Sequence, residues 1–170
     1  DVAMIFFAGH GINDNNGVFY MLPVAADLER IRTTCLNFEE LKQTVSSIAG
    51  KVVVFIDACH SGNVMGSRRG GADINAVVNE LSNTENGAIT YTSSTGKEFS
   101  LEDPAWGNGA FTKAVIEGLS GKAAFGKNKV TIKSLDAYIS DRVKELTKGK
   151  QHPTSVSPPN VPDFPIAVAQ

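Results

Sequence analysis

The chain is poor in several things that would narrow its class at once. Two cysteines, Cys35 and Cys59, in 170 residues are too few for a disulfide framework. No apolar run approaches the roughly 18 residues needed to cross a bilayer, so no membrane partner is expected. Neither sign of charge dominates: 16 Lys and Arg stand against 18 Asp and Glu. A basic surface for nucleic acid or anionic lipid is therefore excluded. Repeats and low-complexity tracts are absent as well. What remains is a globular domain, 42% hydrophobic, with enough apolar residues for a core. The low cysteine content favours a cytoplasmic setting in which one thiol stays reactive.

The organisation is legible in the order of apolar runs. Residues 2–8, VAMIFFA, are continuously apolar, as expected of a central strand covered on both faces. GINDNNG is a loop, and VFYMLPV is a short strand stopped by Pro23. Phe38, Leu41, Val45 and Ile48 form a helical stripe, with Asn37 and Glu40 as a cap and Gly50 as the stop. KVVVFIDA, residues 51–58, is a second buried strand. HSGNVMGSRRGGAD is a glycine-rich loop, followed by a short helix over 74–81 and a third strand, GAITYTSS. After the long loop TGKEFSLEDPAWGNG, helices are predicted over 109–119 and 131–147, and FPIAVA forms a last strand. In the second of these helices the stripe of Leu135, Ile139, Val143 and Leu146 belongs to the core. Strands alternating with helices predict an α/β fold, a three-layer sandwich around a mostly parallel sheet. Sites in such sheets form beyond the carboxyl ends of the strands.

Two strand tips carry the chemistry. IFFAGHG ends on His10, and FIDACHSG carries Cys59 in the equivalent place. A thiol with a pKa near 8.5 is only a few per cent thiolate at neutral pH. A histidine within reach takes its proton and later returns it to a leaving amine. Gly11 after His10 allows close backbone approach, so the amides of Gly11 and Cys59 form a candidate oxyanion hole. No Asp or Asn is marked out as an orienting partner, which points to a dyad. A metal site of His10, Cys59 and His60 lacks the C-x-x-C or H-x-x-x-H spacing that such sites use.

The pair FFAGHG and DACHSG resembles the caspase-like cysteine peptidases, especially the metacaspase, paracaspase and bacterial caspase-like branches. The caspase signature is Q-A-C-x-G with a histidine about 50 residues upstream; here the histidine lies 49 residues before Cys59. YTSSTGKEFSLEDPAWGNGAFTKAVIEGL is similar to the family's small-subunit segment. The resemblance implies a thiol endopeptidase, made as a zymogen, with His10 as base and Cys59 as nucleophile. It also implies one domain over 1–170, with a large-subunit-like part (1–66), a flexible loop (60–73) and a small-subunit-like part (74–170). Family members begin with a strand, helix and strand before the histidine strand. An N-terminal segment of the same domain is thus an expected partner.

The resemblance also implies specificity. Caspases that cleave after aspartate use a Gln two residues before the cysteine and an Arg in a later loop. Those positions are Asp57 and Glu102 here, both acidic as in arginine-cleaving relatives. An acidic pocket pairs with a P1 arginine and repels a P1 aspartate, so the expected partners are proteins or peptides cut after Arg or Lys. Ser100 is expected to present backbone to substrate. Arg68 and Arg69 in GSRRGG are candidate self-cleavage points.

The acids after the histidine are only Asp14, Asp27 and Glu29, and none follows Cys59 before Asp73. A hard cation wants more carboxylate ligands than that, so neither calcium nor any other cofactor or metal is expected. Trp106 is read either as lining the groove or as packing beneath its loop, and His152 as a surface residue. Pairing at the edge of FPIAVA offers a route to a homodimer. The rival reading is a catalytically silent scaffold with the same fold, which would need neither His10 nor Cys59.

Overall fold

The protein is described by a computed structural model covering residues 1–60, 74–83, 87–95, 98 and 100–169. Arg68 and Arg69 lie outside the described residues. In chain order the elements are β1 (Val2–Asn13), β2 (Phe19–Leu22), α1 (Ile31–Thr34), β3 (Leu36–Asn37) and α2 (Phe38–Ser47). Next come β4 (Lys51–His60), α3 (Ile74–Ser82), β5 (Ala88–Thr92) and α4 (Ala110–Glu117). The chain closes with β6 (Lys129–Thr131), α5 (Ile132–Leu146), β7 (Thr154–Val156) and β8 (Pro165–Val168).

The two apolar runs become β1 and β4, adjacent and parallel, and β5 extends the parallel core on the other side of β4. The margins are antiparallel, giving a six-stranded sheet in the order β3-β2-β1-β4-β5-β7. Alternation along β4 sorts its side chains between two layers. Val52, Val54 and Ile56 pack with Phe38, Leu41 and Val45 of α2 and with Val77 and Leu81 of α3. Val53 and Phe55 pack with Ile89 and Tyr91 against Phe111 and Val115 of α4 and Leu135, Ile139 and Val143 of α5. This is the α/β sandwich expected from the alternating pattern.

Three details differ from the sequence reading. β4 is buried on both faces, with Val52 to Ile56 at most 2% exposed, whereas β1 is not: Val2, Met4 and Phe6 are 37%, 46% and 46% exposed. The helices α4 and α5 lie over β4 and β5 and stop short of β1 on that side. Asn37 does cap α2, but it accepts from the Glu39 amide at 2.9 Å, and the helix ends at Ser47 before reaching Gly50. Finally, FPIAVA is no free edge. Its strand β8 pairs antiparallel with β6 in a separate two-stranded sheet, anchored where the Ile132 amide donates to the Phe164 carbonyl. The edge position of the main sheet is taken by β7, three residues too short and polar to announce itself.

The loop after β1 is a tight hairpin. Asp14 Oδ1 accepts from the amides of Asn16 and Val18, and Oδ2 pairs with Arg32 at 3.4 Å. These bonds, that from Val18 foremost, hold the Asp14 carboxyl below its ordinary range. Asp27 in turn accepts from the Glu29 amide. No helix among the described residues is long and apolar enough to cross a membrane.

Candidate active site

The parallel register of β1 and β4 runs through their carboxyl ends and pairs His10 with Cys59, and Gly11 with His60. Neighbouring strands stand about 4.8 Å apart, so the two residues singled out from sequence occupy adjoining positions. His10 is exposed at this edge. Two places earlier in the same register, Ala8 stands beside Asp57, so by alternation the positions of Asp57, Cys59 and His10 belong to one face of the sheet.

Asp57 is buried at 9% exposure and accepts a hydrogen bond from the Thr112 hydroxyl at 2.5 Å. Thr112 lies in the first turn of α4, whose N-cap is Gly109. Gly109 forms an antiparallel bridge with Glu102. A Cβ placed on Gly109 would lie 3.1 Å from Asp57 Oδ2 and 3.8 Å from Glu102 Cγ. The two acids expected to choose the substrate therefore both lie beside Gly109, where any side chain would crowd the Asp57 carboxylate. Glu102 is exposed and Asp57 buried.

Ser100 is buried at 8% exposure, and its hydroxyl meets that of Ser93. Its side chain is thus committed to the loop's own structure. Trp106 settles between its two readings: it packs against the cluster formed by α4, α5 and the sheet. Gly11 is buried and engaged within the sheet. A Cβ there would come within 2.3 Å of the Phe19 ring, so close packing alone requires glycine at this position. Cys35 is a half-buried free thiol beside the Thr34 hydroxyl. Among the described residues no three His, Cys, Asp or Glu side chains converge in a manner suited to a metal.

Sequence reasoning missed Thr112, Gly109 and Gln151. Thr112 resembles any exposed helix residue until Asp57 is placed against it. Gly109 carried a faint signal, since glycine is only modestly favoured at the start of a helix and often marks close approach. Gln151 carried none.

A parallel sheet between helical layers, with a histidine and a cysteine in register at its carboxyl edge, defines the class of caspase-like α/β proteins. The family model for the caspase domain matches residues 1–164, and the chain belongs to that family. Among solved structures it is similar to the crystal structure of a protein from Geobacter sulfurreducens. That likeness has 19% identity and a TM-score of 0.59, over all of this chain and 72% of the other. At that identity it supports the fold alone. No curated protein matches the chain significantly.

Proposed function

We propose that the protein is a cysteine endopeptidase that cleaves after Arg or Lys with a Cys59–His10 dyad. The observation that carries this is the side-by-side register of His10 and Cys59 at the carboxyl ends of two adjacent parallel strands, in a chain of a peptidase family. Cys59 gives up its proton to His10, and the thiolate attacks the scissile carbonyl. The oxyanion is assigned to the backbone amides of Cys59 and Gly11. The imidazolium of His10 then protonates the departing amine. Water, deprotonated by His10, cleaves the thioester and restores the thiol.

The basic preference is supported by Asp57 and Glu102 both lying beside Gly109. A guanidinium between two carboxylates forms charge-assisted bonds, whereas a P1 aspartate would leave like charges opposed. Truncating one partner of such a buried pair costs roughly 2–5 kcal/mol, or about 30- to several-thousand-fold in rate. Arg68 and Arg69 carry the same side chain shortly after the nucleophile in sequence, and self-cleavage after them belongs to this proposal.

The test is turnover of a P1-scanning fluorogenic peptide library by the full-length protein, by Cys59→Ala and by Asp57→Asn. Turnover at Arg and Lys is expected, lost in Cys59→Ala and reduced at least 30-fold in Asp57→Asn. Turnover after Asp would overturn the pocket, and silence of the wild type would favour a scaffold. Fragments cut after Arg68 or Arg69 should appear in wild type and be missing from Cys59→Ala.

A further inference from the structure

Gln151 is fully buried, and both ends of its amide are occupied by backbone. Nε2 donates to the Ser93 carbonyl at 2.8 Å, and Oε1 accepts from the Leu101 amide at 2.8 Å. Its own backbone N–H donates to Thr147 Oγ1 at 3.2 Å, and that hydroxyl donates to the Val143 carbonyl at 2.8 Å, inside α5. The side chain therefore joins three pieces of chain that have no strand or helix in common. An amide is suited to this because one neutral group offers both a donor and an acceptor. A carboxylate would oppose the Ser93 carbonyl, and a hydrocarbon would strand two buried backbone groups.

What these pieces carry gives the bond its purpose. The Ser93 amide donates to the carbonyl of Ile56 at 3.0 Å, the residue before Asp57. Leu101 precedes Glu102, and its carbonyl accepts from the Ala110 amide at 2.9 Å. Gln151 thus links the strand end that bears Asp57 to the segment that bears Glu102. The neighbouring His152 holds the same loop a second time: its amide and Nδ1 meet the two Glu98 oxygens at 2.8 and 2.9 Å. That pair is exposed on the histidine side and contributes less than the buried amide.

We infer that Gln151 is the positioning residue for the P1 pocket: it sets the distance between Asp57 and Glu102 and with it the grip on a basic side chain. This rests on the Arg/Lys reading above. Gln151 touches no substrate, so removing it should loosen substrate binding and leave the dyad intact.

The experiment compares wild type with Gln151→Met, and with Gln151→Glu in case the first does not fold. Glu keeps the volume and the acceptor for Leu101 but loses the donor to Ser93. Three quantities are read: amide exchange at Leu101, KM and kcat for a P1-Arg peptide, and the rate at which iodoacetamide alkylates Cys59. In either variant that folds, KM should rise about tenfold, the order of one net hydrogen bond, and in Gln151→Met Leu101 exchange should rise by at least as much. The rate of Cys59 alkylation should stay within about twofold of wild type and kcat within about threefold. An unchanged KM in a folded variant would overturn the inference, as would alkylation and kcat falling while KM rises. Failure of the underlying specificity reading shows itself separately, as wild-type protein that does not prefer Arg or Lys.

Discussion

The Thr112 hydroxyl donates to Asp57 Oδ2 at 2.5 Å across the gap between the end of β4 and the first turn of α4. One carboxylate oxygen is thereby held in place, and the orientation of the other is fixed with it. A charge-assisted bond of this kind is worth about 1.5–3 kcal/mol when buried, and on the proposed specificity less than half of that is expected to appear in binding of a basic side chain.

Thr112→Val is expected to raise KM for a P1-Arg peptide about three- to tenfold with kcat nearly unchanged, and Thr112→Ser to restore it. Steady-state kinetics on the three proteins decide this. A valine variant with wild-type KM would show that the bond serves only the fold.

Gly11 tests the packing behind the histidine. An alanine Cβ would sit 2.3 Å from Phe19 Cζ and 2.5 Å from Cε2, so ring or backbone must move. Overpacking of this sort costs about 1–3 kcal/mol. Gly11→Ala should lower the urea midpoint accordingly, and adding Phe19→Leu should recover much of the loss. A midpoint that does not move would mean that the Phe19 ring swings aside freely.

Glu117 governs the acid stability of the α4–α5 layer. Its carboxylate accepts from Arg142 Nε at 2.9 Å and from the Tyr138 hydroxyl at 2.8 Å, with Lys113 and Lys122 nearby. The Arg142 bond above all pulls its pKa from 4.5 to about 2. The same contact helps push Tyr138 up to about 12, behind desolvation as the larger cause. A carboxyl whose folded pKa is depressed stabilises the fold above its unfolded pKa and loses that contribution as pH falls through the folded one. Glu117→Gln should therefore melt lower than wild type at pH 7, and the gap should close as pH drops from about 4.5 to about 2. Thermal melts at several pH values measure it. A gap that does not depend on pH would assign the effect to packing.

The strands that form the site were readable because each is a continuous apolar run, although only β4 is buried on both faces. A run such as VVVFI has only one comfortable place, the middle of a sheet under two helical layers. The pairing of His10 with Cys59 followed from their identical places at two such strand ends. β6 and β7 were not readable: three residues of KVT or TSV carry no periodicity, and their partners lie 34 and more residues away. FPIAVA illustrates the same limit, since its apolar pattern marked a strand but not the strand it would join.

Local pattern determined most of the strands and helices and which thiol and imidazole sit at strand ends, and the family resemblance marked which acids are candidates for the pocket. That pattern depends on neighbours in the chain or on how strongly a run avoids water. Only the tertiary structure decided that Asp57 leans on Thr112, that Gly109 lies against both Asp57 and Glu102, and that Gln151 joins Ser93 to Leu101. The hydrogen bonds among them span 50 or more residues, and a buried hydrogen bond leaves no periodic trace. Its partners are chosen by which backbone groups the packed core has cut off from water.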